Sequence, residues 1–192
     1  MQPNQISIFG VLISGLAATL LVLSRDADVR AQAALLAGAA ICIPIRAACN
    51  MFDGMLAVEF GKATNSGAVF NELPDRISDA LMLVGAGYAV PESQLYGGLS
   101  AALGWGAALS AATTAYVRTL GASLGVGQDF SGIMAKQQRM AVMTVALAVS
   151  AFENLWSGEG EVIVAGLAVV LAGCAVTTIQ RTVGLTRRLG QQ

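Results

Sequence analysis

Ionisable and amide side chains interrupt long apolar stretches of this chain at two places, and this feature constrains the fold most strongly. The first place is residues 50–57 and the second is residues 67–79. A charged side chain at the middle of a bilayer helix costs about 2.5–3.5 kcal/mol on insertion scales. These residues are therefore expected to face one another in a protein interior rather than lipid.

The spacing of the polar residues places each group on one face of a helix. Asn50, Asp53 and Ala57 are three or four positions apart. A second set recurs at every fourth position, namely Asn71, Asp75 and Asp79. Residues at these intervals share a helix face. Two helices joined by a short loop over residues 60–66 can lie antiparallel, which predicts a polar chamber inside an apolar bundle.

The composition indicates an all-α integral membrane protein. Of the 192 residues, 55% are hydrophobic and only 12% are charged, whereas soluble domains carry about 25% charged residues. The mean hydropathy is +0.66. Because the apolar runs are continuous rather than alternating, they favour helices over a barrel.

The apolar runs predict six transmembrane helices in a single domain over residues 1–192. The predicted spans are approximately residues 6–23, 31–60, 67–90, 94–118, 139–156 and 162–183. The connection 119–136 has too few apolar residues to span and is interpreted as an interfacial loop. The second span is longer than a bilayer needs, so its polar last turns are expected at the aqueous boundary.

The distribution of basic residues predicts the orientation. If the N-terminus is cytoplasmic, only Arg25 and Arg30 fall on the outer side, and seven basic residues fall on the cytoplasmic side. Those seven are Lys62, Arg118, Lys136, Arg139, Arg181, Arg187 and Arg188. By the positive-inside rule, both termini are cytoplasmic and the chamber opens toward the cytoplasm.

Several chemistries are excluded at this point. The formal net charge of -1 gives no sign of a nucleic-acid partner. The chain has no histidine, and its three cysteines show no CxxC spacing, which excludes zinc, haem and histidine-based catalysis. Carboxylate and amide oxygens suit Mg²⁺ or Mn²⁺, which substrate phosphates often complete. A chamber of this kind at lipid level suggests phosphoryl-type transfer on a lipid.

These segments resemble the signature of the CDP-alcohol phosphotransferases, D-x-x-D-G-x-x-A-R followed after eight or nine residues by G-x-x-x-D-x-x-x-D. The spacing matches throughout. The residues at the equivalent positions of this chain are Asn50, Asp53, Gly54, Ala57, Val58, Gly67, Asn71 and Asp75. The signature is specific because it fixes many positions, and the resemblance extends more weakly to a fold of six helices with cytoplasmic termini.

The resemblance implies a metal-dependent enzyme of phospholipid synthesis in a bacterial inner membrane, expected to be a homodimer. It would transfer a phosphatidyl group from CDP-diacylglycerol to a small alcohol, with glycerol 3-phosphate as the first candidate, and would release CMP. Asp75 would be the catalytic base. The metal ligands would be Asn50, Asp53, Asn71 and Asp75. The substrate-binding residues would be Gly54, Ala57, Gly67, Arg118, Lys136 and Arg139.

Three departures from the signature keep alternatives open. Asn50 and Asn71 replace aspartates and Val58 replaces an arginine, so metal affinity should fall and one of two metals could be missing. Asp79 is a possible auxiliary ligand, with Glu72 as another.

The charged residues and the predicted function also have less specific explanations. Asp53 and Asp75 could form structural ion pairs with arginines such as Arg46 and Arg76. The basic residues could be ordinary positive-inside residues. The acceptor could instead be inositol phosphate, serine or a second lipid. A weak or inactive member that binds nucleotide or lipid, or acts as a scaffold, is the main functional alternative, and a small transporter is disfavoured because no inverted repeat is visible.

Overall fold

The computed structural model describes residues 3–59 and 67–191. Within these ranges it describes the backbone alone at residues 3–4, 53–54, 56–59, 67–68 and 70–71. The described residues form six α-helices, one short 3₁₀ helix and no strand. The α-helices are α1 Pro3–Ser24, α2 Val29–Glu59, α3 Gly67–Tyr88, α4 Gly97–Ser123, α5 Lys136–Ser150 and α6 Glu161–Leu189. The all-α prediction is therefore confirmed for this part of the chain.

The helix ends differ from the predicted spans mainly in the second half of the chain. Helix α4 continues to Ser123 and α6 to Leu189, beyond the predicted limits at residues 118 and 183. Helix α5 ends at Ser150, and a 3₁₀ turn, Glu153–Leu155, follows it. The length of an apolar run indicates only the part of a helix that lies in the hydrocarbon core. The helix itself can continue past the membrane surface with polar residues such as Arg187 and Arg188.

Three helical segments are long and apolar enough to cross a membrane: Gln5–Ser24, Val29–Phe52 and Glu161–Leu189. The chain is accordingly a membrane protein. Helix α3 carries several charged residues, and α5 has only 15 residues, about 23 Å at 1.5 Å per residue, which is less than the roughly 30 Å hydrocarbon slab. Six complete spans remain a prediction.

The helices pack as a closed ring in the order α1, α2, α5, α6, α4, α3 and back to α1. Side chains buried inside this ring include Leu21, Ile43, Met82, Leu147 and Leu167. Because α5 packs against α2, the N-terminal turn of α5 comes to lie opposite the polar faces of α2 and α3. This ring order, which sequence spacing does not contain, assembles the candidate site.

Helices α3 and α4 approach each other closely at a pair of glycines. A Cβ atom at Gly104 would lie 2.9 Å from the Cα atom of Gly87 and from the carbonyl oxygen of Leu83. Small residues permit such close packing between membrane helices. The crossing fixes α3, which carries the acidic residues of the site, against α4.

The bundle is closed at the end that contains the α5–α6 connection. The carboxylate of Glu153, which is only 2% exposed, accepts hydrogen bonds from Ser150 Oγ at 2.7 Å and from the Val162 N–H at 3.3 Å. Gln94 Nε2 donates to the carbonyl oxygen of Gly158 at 2.9 Å. These bonds join the connections between helices and leave the opposite end of the bundle for the chamber.

Candidate active site

A cavity of about 990 Å³ lies at the end of the bundle where α3 and α5 begin and where α4 ends. Five helices, α2 to α6, contribute side chains to its wall. Apolar residues of α2 and α5, including Ile43, Ala47 and Val145, line one part. Charged residues line the rest. The predicted polar chamber inside an apolar bundle is present, but its cytoplasmic location remains a prediction.

Asp75 is the acidic residue at the centre of the chamber. Its side chain is 11% exposed. Oδ1 accepts a hydrogen bond from Arg46 Nη2 on α2, which is a short ion pair. Lys136 Nζ on α5 lies 2.5 Å from Oδ2, and Arg76 Nη2 lies 3.9 Å from the same atom. Three positive charges therefore surround one carboxylate, and both of its oxygens have a cationic partner.

Asp79 lies one turn further along α3, where the bundle is more deeply buried. It forms an ion pair with Arg139 of α5, with 2.7 Å between Oδ2 and Nη2, and both side chains are only 3% exposed. Arg139 Nη1 also donates to the carbonyl oxygen of Met134 at 3.2 Å. Asp79 Oδ1 has no hydrogen-bond partner among the described residues. The pair joins α3 to α5 directly below Asp75.

A second ion-paired cluster lies at the outer wall of the chamber around Glu72. Arg118 Nη2 of α4 donates to both carboxylate oxygens of Glu72, and Arg76 Nη2 donates to Oε2 at 3.1 Å. The Arg118 guanidinium also lies over the ring of Phe130, 5.1 Å from its centroid. Glu72 and Phe130 therefore hold Arg118 in a fixed orientation beside the cavity.

The connection between α4 and α5 is attached to α6 across the chamber wall. Arg181 Nε donates to the carbonyl oxygen of Ser131 at 2.8 Å, and the Met134 N–H donates to Thr177 Oγ1 at 3.0 Å. Gly132 has φ +122, and a Cβ there would lie 2.3 Å from Thr177 Cγ2, so this close approach requires glycine. Hydrogen bonds from Ser131 hold the pKa of Asp129 below its ordinary value.

Apart from Asp79, the predicted auxiliary ligand, which is buried against Arg139 and does not line the cavity, the structure brings together the predicted site residues whose side chains it describes. Asn50, Asp75, Arg118, Lys136 and Arg139 all line the cavity. The backbone of the remaining predicted residues lies in α2 and α3, but their side chains are outside the described set. These residues are Asp53, Gly54, Ala57, Gly67 and Asn71.

Three further residues in or directly behind the chamber wall were given no role in the predicted site. Arg46 had appeared only as an alternative structural partner of Asp75, and it lies one helical turn before Asn50. Arg181 had been counted only as a positive-inside residue, and Phe130 had no assigned role. The spacing of Arg46 and Asn50 was a usable signal, because residues at i and i+4 share a helix face.

The donor atoms in the chamber are oxygens, the ligands that Mg²⁺ and Mn²⁺ prefer. Asn50 of α2 and Asp75 of α3 line the same cavity and offer an amide and a carboxylate oxygen. Oxygens of these types suit a hard divalent cation, and in this structure both oxygens of Asp75 are paired with side-chain cations. Among the side chains that the structure describes, no group of three or more His, Cys, Asp or Glu residues is arranged to hold a metal; the side chains of Asp53 and Asn71 are outside that set.

The fold and the chamber define a class, that of helical membrane proteins with a charged chamber at one end of the bundle. No protein-family model and no curated protein sequence matches the chain. Solved structures of the phosphatidylinositol phosphate synthase (PgsA1) of Mycobacterium tuberculosis do match it, each at 20% sequence identity.

Three of those structures agree over nearly the whole chain. The synthase in complex with manganese and citrate gives a TM-score of 0.79 over 96% of this chain and 82% of its own. The synthase with CDP-DAG bound gives a TM-score of 0.78 over 96% of this chain and 86% of its own. The apo form gives a TM-score of 0.74 over 95% of this chain and 87% of its own. The predicted resemblance to the CDP-alcohol phosphotransferases, to which that synthase belongs, is therefore confirmed at the level of the fold.

Proposed function

We propose that this protein is a membrane enzyme that transfers the phosphatidyl group of CDP-diacylglycerol to an alcohol acceptor and releases CMP. The observation that carries the proposal is the placement of Asp75. This carboxylate lies on the wall of a 990 Å³ cavity, in a chain that has the fold of a synthase whose structures include CDP-DAG and manganese. The motif spacing around Asp75 supports the same activity.

Asp75 is the base of the proposed reaction. The acceptor hydroxyl oxygen attacks the phosphorus atom that carries the diacylglycerol, and its proton passes to a carboxylate oxygen of Asp75. The new acceptor oxygen–phosphorus bond forms as the bond from that phosphorus to the CMP oxygen breaks. CMP leaves with the bonding electrons, so atoms and charges balance.

A divalent cation, Mg²⁺ or Mn²⁺, would be held by Asn50, Asp53, Asn71 and Asp75. When bound, it neutralises the negative charge of the donor pyrophosphate and of the departing CMP. Gly54, Ala57 and Gly67 would leave room for the nucleotide. Asp79 remains a candidate auxiliary ligand, although its observed partner is Arg139. Glu72, the other candidate, is paired with Arg118 and Arg76.

The acceptor is proposed to carry a phosphate group. In and directly behind the chamber wall, the described cationic side chains outnumber the acidic ones six to three, which leaves an excess of three positive charges. They are Arg46, Arg76, Arg118, Lys136, Arg139 and Arg181 against Glu72, Asp75 and Asp79. Such an excess favours anionic ligands. Glycerol 3-phosphate is the first candidate, and inositol phosphate is the next.

The same proposal places the enzyme in a bacterial inner membrane, with both termini and the chamber facing the cytoplasm. The positive-inside distribution of basic residues supports this orientation. The cationic chamber lies at the end of the bundle that would then meet the cytoplasm, where a soluble phosphorylated acceptor would be available. A homodimer is expected from the family resemblance.

The acceptor is identified by measuring CMP release from CDP-diacylglycerol with a panel of alcohols. The panel pairs glycerol 3-phosphate with glycerol, and inositol phosphate with inositol. The proposal predicts release with one phosphorylated member of a pair and at least about tenfold less with its dephosphorylated partner, because charged hydrogen bonds are lost. Equal release with both members of every pair would contradict a phosphorylated acceptor.

A second candidate function is binding of a nucleotide or lipid without turnover. Asn50 and Asn71 in place of aspartates, together with the two cations that pair with Asp75, favour this alternative. It predicts that CDP-diacylglycerol binds to the purified protein and that no acceptor causes CMP release. If the Asn50→Asp, Asn71→Asp variant then released CMP, the native chain would be an inactive relative of an enzyme.

A further inference from the structure

Arg46 is a buried cation in the middle of a helix that is long and apolar enough to cross a membrane. It lies in α2, within the segment Val29–Phe52, and its side chain is only 4% exposed. A charged side chain inside a membrane is costly, so its presence there points to a functional site that includes its partner. The partner of Arg46 among the described side chains is Asp75, whose Oδ1 accepts a hydrogen bond from Nη2.

The pair joins two helices that are not neighbours in the ring. Helix α2 packs between α1 and α5, whereas α3 packs between α1 and α4. The stem of Arg46 lies near α1, where a Cβ atom at Gly10 would be 4.0 Å from Arg46 Cγ. The guanidinium therefore extends from the α1–α2 side of the bundle to a carboxylate on α3, and it ties the position of Asp75 to that side.

The other donors of Arg46 make this pair an inefficient structural contact. Nε and Nη1 are buried and have no hydrogen-bond partner in the part of the chain that the structure describes. Arg139 leaves only Nε unpaired and uses both terminal nitrogens, on Asp79 and on the carbonyl oxygen of Met134. Unpaired buried donors cost free energy. A buried arginine that served stability alone would be expected to pair more of its donors.

The two oxygens of Asp75 have different surroundings. Oδ1 faces Arg46, which is absent from the residues that line the cavity. Oδ2 lies 2.5 Å from Lys136 Nζ and 3.9 Å from Arg76 Nη2, and both of these residues line the cavity. Oδ2 is therefore the oxygen on the side of the ligand, and Oδ1 is the oxygen on the side of the protein interior.

Building on the proposed function, in which Asp75 is the base, we propose that Arg46 is a positioning residue for Asp75. Arg46 holds Oδ1 and thereby fixes the rotation of the carboxylate, so that Oδ2 faces the cavity and receives the proton of the acceptor hydroxyl. Arg46 touches neither donor nor acceptor and acts only through Asp75. A misplacement of about 1 Å can cost about 100-fold in rate, which is the loss that a fixed carboxylate avoids.

The experiment measures kcat and KM for CMP release by Arg46→Met in proteoliposomes, with the acceptor of the panel that supports release by the wild type. Rates are expressed per folded molecule, with folding followed by tryptophan fluorescence. We expect kcat to fall about 10- to 100-fold. The KM values for CDP-diacylglycerol and for the acceptor should change by less than about threefold, because Arg46 does not line the cavity and its effect is confined to the reacting carboxylate.

A double-mutant cycle with Asp75→Asn separates positioning from a general structural effect. Residues that act as a unit give strongly non-additive losses. If Arg46 acts through Asp75, adding Arg46→Met to Asp75→Asn should lower the residual CMP release by less than about twofold. A general structural effect would lower release by the same factor in both backgrounds.

Two control variants make the result specific to Arg46. Arg30→Met removes an exposed positive charge from the other end of α2 and should leave kcat unchanged. Leu21→Ala removes a buried side chain outside the cavity, so it should destabilise the fold without lowering kcat per folded molecule. If Arg46→Met does not fold, Arg46→Lys keeps the buried charge but replaces the planar guanidinium with a flexible ammonium, and kcat should fall about threefold or more.

A wild-type kcat per folded molecule in Arg46→Met would overturn the proposal, and so would a wild-type kcat in Arg46→Lys where that variant is needed. Equal losses from Arg46→Met in the wild-type and Asp75→Asn backgrounds would overturn it as well. In each of these cases the wild type still releases CMP, so the proposed function stands. Absence of CMP release by the wild type with every acceptor would instead refute the proposed function and this role of Arg46 together.

Discussion

Asp75 and Asp79 lie one turn apart on the same face of α3, yet their surroundings differ. Asp79 and its partner Arg139 are almost completely buried, at 3% exposure each, and form one close pair. Asp75 is 11% exposed, lines the cavity and has cationic partners on both oxygens. The comparison teaches that identical side chains at helical spacing can have different surroundings, since one is buried in an ion pair between helices and the other lines the cavity.

The largest difference between the two residues is expected in catalysis. Asp75→Asn should lower CMP release by about 100-fold or more, because general-base catalysis contributes roughly 10²–10⁴-fold. The measurement is CMP release per folded molecule in detergent or proteoliposomes. Asp129→Asn is the matched control, since Asp129 pairs with Arg188 outside the cavity and should retain activity. Retained activity in Asp75→Asn would remove Asp75 from the role of base.

For the stability of the fold, we expect the larger effect at Asp79. Asp79→Asn should destabilise the fold by about 3–5 kcal/mol, because it leaves the Arg139 charge buried without a partner. Asp75→Asn also leaves the buried Arg46 without its carboxylate partner, but it should destabilise the fold less, because Asp75 and Lys136 line the cavity and are more exposed. Thermal unfolding monitored by tryptophan fluorescence makes the comparison.

The double variant Asp79→Asn, Arg139→Met sharpens this test, since removing both charges should recover much of the lost stability. If Asp79→Asn unfolds at the wild-type temperature but loses Mn²⁺ affinity, Asp79 is a metal ligand rather than a structural residue. That outcome would contradict the proposal that Asp79 is structural and that Asp75 acts in catalysis.

A smaller effect is expected at Arg118, which Glu72 orients at the outer wall of the chamber. Arg118→Met should raise KM for a phosphorylated acceptor by about tenfold, the lower end of the range for a hydrogen bond to a charged group. The KM for CDP-diacylglycerol should change less. Arg188→Met, which removes a guanidinium outside the cavity, is the control, and an equal rise in both variants would count against acceptor binding by Arg118.

The smallest effect is expected at Phe130, which contacts the Arg118 guanidinium. Phe130→Ala should raise the acceptor KM about two- to fivefold, since an exposed cation–π contact is worth about 0.5–1 kcal/mol. Phe152→Ala is a matched control, because both rings are 64% exposed and Phe152 lies at the closed end of the bundle. A larger loss of kcat than of acceptor affinity would show that Phe130 does more than orient Arg118.

The different surroundings of Asp75 and Asp79 also show which features of the site could be predicted from the sequence. Spacing of four residues placed both on one helix face, and the motif singled out Asp75 as the reactive one. Arg46 and Arg76 were named from the sequence as possible partners of Asp75, and both lie beside it. The partners on α5 were not predictable, because they depend on the packing of α5 between α2 and α6. Lys136 and Arg139 are three positions apart on α5, and only this packing brings one to Asp75 and the other to Asp79.

The helix ends show a related limit. The last predicted span ended at residue 183, but α6 continues through Arg187 and Arg188 to Leu189. Basic residues in the last turn of a helix interact favourably with its dipole, and hydropathy does not register this effect. The apolar spans were therefore predicted better at their centres than at their ends.

The central claim is that the chamber around Asp75 carries metal-dependent phosphatidyl transfer. It is tested most directly by CMP release from CDP-diacylglycerol in proteoliposomes, with the acceptor panel present, before and after chelation by EDTA and restoration of Mn²⁺ or Mg²⁺. The account predicts acceptor-dependent release that EDTA abolishes and added metal restores. Binding of CDP-diacylglycerol without CMP release for any acceptor, whether or not metal is present, would contradict it.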